Sequence, residues 1–157
     1  MAAAGTSAVT AATPTGPVLF AYDGSDLAKL AIEHAGLQLA SGRDALVACV
    51  WQTGDVGFLP TSERHFNAAE ATQVRTAAEE TAAHGASLAK KAGFRAQSIA
   101  IEAAPTWTGI VEVAGERRAS LIVLGSHRRA GLARHVLGSV AAAVASHSAT
   151  SVLIVHA

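Results

Sequence analysis

Residues 121–139 read LIVLGSHRRAGLARHVLGS, and the whole chain can be read outward from them. A short apolar run, Leu121-Ile122-Val123-Leu124, stops at Gly125. A polar, arginine-bearing segment follows and closes on Gly138-Ser139 and a run of small residues. The order is strand, loop, helix N-terminus. Backbone N–H groups left unpaired at the start of a helix, together with its dipole, make an anion site, and a glycine at the strand end lets a phosphate approach the main chain. A tight βα connection that needs glycine only for its turns reads the same way. The other segments therefore have to decide.

Upstream, Pro17 opens the apolar run Val18-Leu19-Phe20-Ala21-Tyr22, which ends at Asp23-Gly24-Ser25. This is a buried strand that delivers a carboxylate to its C-terminal end. Ser25 or Asp26 caps a helix over Leu27 to Ser41, with Leu30, Ala31 and Leu37 on its apolar side and Gly42 as its stop. Ala45 to Trp51 is a second unbroken apolar run. Gln52 to Phe66 reads as a long, mobile surface connection, of a length that is often either disordered or a lid. Asn67 to Ala92 is the longest helical stretch, weakened at Gly85. Phe94 to Ile101 is a strand whose Arg95, Gln97 and Ser98 place it at an edge. Pro105 starts a helix to about Arg118 with Ile110 and Val113 turned inward. After the strand at Leu121 come a helix over Ser139 to His147 and a last strand, Val152 to Val155.

Alternating strands and helices predict an α/β fold: a single doubly wound, five-stranded parallel sheet with helices on both faces, a Rossmann-like nucleotide-binding architecture. Ligands in such sheets sit beyond the strand C-termini where the winding reverses. If the first and fourth strands are neighbours, Asp23, the glycine loop and Val50 meet in one crevice. Met1 to Gly16, rich in Ala, Thr, Gly and Pro, is expected to be a dispensable tail, leaving one domain over 17–157.

With 157 residues, half of them apolar, one core is enough. Twelve basic and twelve acidic residues cancel, so no global charge points to nucleic acid or to an anionic membrane surface. Arg117-Arg118, Arg128-Arg129 and Arg134 can still form a local basic edge. Cys49, the sole cysteine, has no disulfide partner in the chain. No apolar stretch has membrane-spanning length and no signal peptide is visible, so a soluble, cytoplasmic protein is expected.

The turn after the first strand is DGSD, not G-x-G-x-x-G, and no G-x-x-x-x-G-K-[ST] run occurs. A phospho-receiver domain needs a phosphoacceptor Asp after the third strand, where this chain has Ile101-Glu102-Ala103. There is no G-x-S-x-G elbow. The seven histidines show no metal-ligand spacing, so no structural zinc is expected. His127 and His135 flank the loop, where they could touch a phosphate, but they read first as ordinary polar loop residues.

The C-terminal third, LGSHRRAGLARHVLGSVAAAVASHSATSVLIV, resembles the universal stress protein family, and VLFAYDGSDLAKLAIEHA resembles that family's first strand and helix. Nucleotide-binding members carry G-x-x-G-x9-G-[ST]. Here the pattern aligns with Gly125, with Arg128 in the second glycine's place, and with Gly138-Ser139. The resemblance implies ATP as ligand, with or without Mg. Asp23 would meet the nucleoside, Val50 the adenine through its backbone, and Gly125, Gly138, Ser139 and Val140 the ribose and phosphates. Ala21, Tyr22, Ser126 and Arg128 complete the implied site.

Three consequences of Arg128 stay open. It can carry a penalty of roughly 1 to 2 kcal/mol at positive φ, it can crowd the phosphates, or its guanidinium can pair with them. The resemblance further implies a stress-response regulator and a homodimer through the last strand; with Asp23 the only obvious carboxylate near the crevice, slow ATP hydrolysis stays open but no dedicated catalytic apparatus is visible. The alternative is a dimeric interaction module of the same family that binds no nucleotide. Gly125→Val is expected to abolish binding by filling ligand space alone.

Overall fold

The computed structural model describes residues 15–53, 68–126 and 137–157. The long connection expected after Trp51, beyond residue 53, and the expectations for His65, His127, Arg128, Arg129, Arg134 and His135 fall outside those residues. The strands are β1 (Val18–Ala21), β2 (Asp44–Trp51), β3 (Arg95–Glu102), β4 (Leu121–Gly125) and β5 (Val152–Val155). The helices are α1 (Asp26–Gln38), α2 (Ala68–Lys91), α3 (Thr106–Glu116) and α4 (Ser139–His147).

All strand pairs are parallel, and the sheet order is β3-β2-β1-β4-β5. The doubly wound fold is therefore as expected. The chain winds outward from β1 through β2 to β3, then returns across the sheet to β4. β1 and β4 lie side by side in register, Val18 opposite Leu121 and Phe20 opposite Val123. That seam is the switch point.

Period-two alternation sends successive strand residues to opposite faces. Val18, Phe20, Tyr22, Val47 and Val123 face α1 and α2, whereas Leu19, Leu46, Ala48, Ile122 and Leu124 face α3 and α4. Phe20 meets Phe94 edge to face, centroids 5.2 Å apart, a favoured aromatic geometry. The buried stripe of α2 consists of Ala78, Ala82, Gly85, Ala86 and Ala89. Side chains that small bring the helix close to the sheet. A Cβ on Gly85 would lie 2.6 Å from Cδ1 of Tyr22 and 2.7 Å from Cγ1 of Val47. The glycine that weakens the helical pattern is thus the point of closest packing.

The α1 stripe differs from the expected one. Leu27, Ala28, Ala31, Ile32 and Ala35 are buried, while Leu37 is 85% exposed and Leu30 37%. Position 30 is rotated by about 100° from position 31, and the small Ala28, Ala31 and Ala35 take the inner face because they allow a tighter approach. The helix also ends earlier than expected, at Gln38, with Leu39 as C-cap. At the opposite end of the sheet Ser120 Oγ donates to the Gly16 carbonyl at 2.7 Å and accepts from Arg43 Nη2 at 2.7 Å. Gly16 therefore contacts the folded frame.

Candidate functional site

The cleft grows from what the chain does at the ends of β1 and β4. Past β1, Gly24 adopts φ +83°, a left-handed conformation that side-chain-bearing residues resist. This turn lets Ser25 cap α1, its Oγ accepting from Ala28 N–H at 3.2 Å. Asp23 Oδ1 accepts the Ser25 N–H at 2.9 Å, which holds the exposed carboxylate at the mouth of the cleft.

Past β4, Ser126 N–H donates to the Val155 carbonyl at 2.9 Å. Gly125 itself packs against α1. A Cβ there would lie 2.6 Å from Leu27 Cγ and 3.0 Å from the Leu27 carbonyl oxygen. Its missing side chain thus serves helix packing, which corrects the expectation that a residue here affects ligand space alone.

These ends enclose a cleft of about 390 Å³ at the β1/β4 switch, within the range of roughly 300–1,000 Å³ usual for small-molecule sites. Ala21, Tyr22, Asp23, Val50, Gly125, Ser126, Gly138, Ser139 and Val140 all line it. Of the site residues inferred from sequence, only Arg128 is outside the described set.

The sequence did not point to Thr106 and Ile110, which α3 contributes as it returns across the sheet, nor to Leu27 and Ala48. Thr106 Oγ1 accepts from Gln52 Nε2 at 3.2 Å, a contact across 54 residues that no local pattern announces. Among the described residues that line the cleft, Asp23 is the only charged one. An anion bound there can draw on the main-chain donors at the start of α4. The N–H groups of Ser139, Val140 and Ala141 have no acceptor among the described residues, as expected for the first turn of a helix.

Tyr22 sits beneath the cleft, 2% exposed, and its hydroxyl shares a 2.8 Å hydrogen bond with His84 Nδ1. Burial pushes its phenol above the ordinary value. Lys29 opposes that rise, and Asp23 and Asp26 add to it. A raised folded-state pKa contributes stability that is fully present below the unfolded value, about 10, and is lost as pH rises through the folded one. Tyr22→Phe should therefore lower stability at neutral pH, where the His84 bond is lost, and flatten the alkaline decline. Melting temperatures from about pH 8 to pH 11 check this. Parallel curves for the two proteins would assign the decline to other groups.

Several solved structures share this architecture. A universal stress protein in complex with cAMP is 29% identical, with a TM-score of 0.62 over 92% of this chain and 98% of the other. The universal stress protein from Archaeoglobus fulgidus in complex with dAMP is 24% identical, TM-score 0.55, over 90% and 98%. A protein of the universal stress protein family from Burkholderia pseudomallei is 21% identical, TM-score 0.66, over 94% and 100%. The last two speak for the fold alone. Comparison with the curated proteins finds no match. The sequence model of the universal stress protein family matches residues 15–156. That match takes in every described strand and helix, and the chain belongs to the universal stress protein family.

Proposed function

We propose that this chain is a stress-response regulator that binds an adenine nucleotide, ATP, in the cleft at the β1/β4 switch and signals through its liganded state. The observation that carries the reading is the meeting, in one cleft, of three surfaces suited to the three parts of a nucleotide. Ala21, Ala48, Val50 and Ile110 offer an apolar wall for a purine. Asp23 offers carboxylate oxygens to ribose hydroxyls. The N–H groups at the start of α4 face phosphates, where the helix dipole favours negative charge. The 29% identical family member bound to cAMP supports an adenine ligand.

With Asp23 as the only carboxylate among the described lining residues, the proposal leaves a magnesium ion chiefly to the phosphates. Phosphoryl transfer needs a positioned base and metal ligands. We therefore assign the site to binding and propose no catalytic residue. ATP should raise the melting temperature, because a ligand that binds only the native state stabilises it, and adenine nucleotide should co-purify. A melting temperature unmoved by millimolar nucleotide, with and without magnesium, would favour the dimeric interaction module.

The dimer belongs to the same proposal. β5 lies at one edge of the sheet and pairs with β4 alone among the described strands. Its free edge offers a row of backbone donors and acceptors to a second copy in an isologous strand pair. Sedimentation at micromolar concentration should give a dimer. A monomer would remove the strand-pair proposal without touching the cleft. No nucleic-acid or membrane partner is proposed. Among the described residues no helix is long and apolar enough to cross a membrane, and the buried Cys49 thiol suits the cytosol.

A further inference from the structure

Ser126, just past β4, and Gly138, just before α4, both line the cleft, and the Ser126 side chain ties the two points together. Ser126 is the buried polar residue of the described set, 3% exposed. Its N–H extends the β4–β5 ladder by one residue through the Val155 carbonyl at 2.9 Å. Its Oγ accepts the Gly138 N–H, also at 2.9 Å, across a sequence separation of 12. One side of Ser126 is thereby fixed to the sheet and the other to the entrance of a helix.

Gly138 is the N-cap of α4 and supplies no side-chain cap. Its carbonyl accepts from Ala142 N–H at 2.9 Å, so both of its backbone groups are engaged, one by the helix and one by Ser126. The position of the first turn relative to β4 then depends on the serine oxygen. Serine suits this place chemically, because a hydroxyl that accepts one hydrogen bond keeps its own proton to donate. An alanine would leave the Gly138 N–H without its partner.

We propose that Ser126 is a positioning residue. It holds Gly138 so that the N–H groups of Ser139, Val140 and Ala141 stand ready for the phosphate end of a nucleotide. This inference rests on the nucleotide reading above. It also makes a claim that reading does not make, because it divides the cleft. The wall of Ala21, Val50 and Thr106 is built by β1, β2 and α3 and does not depend on Ser126. The phosphate end does. Removing the hydroxyl should therefore damage recognition of phosphate and spare recognition of the nucleoside.

The experiment compares wild type, Ser126→Ala and Ser126→Thr, each titrated with ATP and with adenosine by NMR, which reads affinities into the millimolar range. Amide exchange at Gly138 is followed without ligand. The expected result is an ATP affinity lowered about tenfold in Ser126→Ala, the size of one lost hydrogen bond. The adenosine response should match the wild type, Gly138 exchange should be faster, and Ser126→Thr, which keeps the oxygen, should restore ATP affinity. Equal losses for ATP and adenosine would show a general structural role. Unchanged ATP affinity would show no role. Either outcome overturns this inference and leaves the nucleotide reading standing. A wild type that responds to neither ligand overturns both.

Discussion

A single methyl group at position 125 should lower both stability and ligand affinity. In Gly125→Ala the new Cβ would lie 2.6 Å from Leu27 Cγ, 3.0 Å from the Leu27 carbonyl oxygen and 3.1 Å from its carbon. The side chain of Leu27 can turn away, but its carbonyl group sits in the first turn of α1 and moves only with that helix. Overpacking of this kind costs about 1 to 3 kcal/mol. The displacement also carries the Ser25 cap and the Asp23 turn, which stand immediately before that turn. The affinity for nucleotide should then fall about tenfold or more, an effect of ~1.4 kcal/mol.

The check is a urea unfolding curve without ligand beside a nucleotide titration. If the glycine served ligand space alone, unfolding of the free protein would be unchanged. A lower midpoint at unchanged slope indicates the packing role. Leu27→Ala should restore part of the loss, because it removes the side-chain contact and leaves the carbonyl contact in place.

Gly85→Ala is the second large effect, and its sign runs against helix propensity. Alanine in a helix interior is favoured over glycine by about 1 kcal/mol, so on an exposed face this change would stabilise. Here the added carbon would meet the Tyr22 ring at 2.6 and 2.9 Å and Val47 Cγ1 at 2.7 Å. Both partners are buried parts of the sheet, with Val47 at 0% exposure and Tyr22 at 2%. Neither gives way without moving α2, and α2 also carries the His84 partner of Tyr22. After the propensity gain is subtracted from the overpacking cost, a net loss of up to roughly 2 kcal/mol remains. Equilibrium unfolding measures it, and an equal or higher midpoint would mean that the helix shifts outward at little cost.

These two glycines mark where sequence reading stopped. The strands were legible because β1, β2, β4 and β5 are unbroken apolar runs, as expected of a parallel sheet covered on both faces. The alternation of strands and helices predicts the doubly wound class, whereas β1 beside β4 enters only as a condition, which the sheet order meets. The convergence of Asp23, Val50, Gly125 and Gly138 followed from that order in turn. Local chemistry sufficed at the Gly24-Ser25 turn as well, where a capping serine stands just before a helical pattern.

What the sequence hid depends on contacts between distant segments. On α1 the large Leu30 and Leu37 drew the expected stripe, whereas Ala28, Ala31 and Ala35 are buried because small side chains let the helix approach the sheet. Gly85 read as a flaw in α2 because its partner Tyr22 stands at the end of β1, far away in sequence. Thr106 and Ile110 reach the cleft only because α3 recrosses the sheet to start β4. The Ser126 to Gly138 hydrogen bond joins two residues that the sequence places at opposite ends of a loop.

An NMR titration of the full chain with ATP, following each backbone amide, tests the proposed function most directly. Saturable shifts should concentrate at Asp23, Val50, Gly125, Ser126 and Gly138 to Ala141, and the amides at the opposite end of the sheet, around Gly16 and Arg43, should stay still. An unchanged spectrum at millimolar ATP, or shifts confined to residues away from the β1/β4 switch, would contradict it.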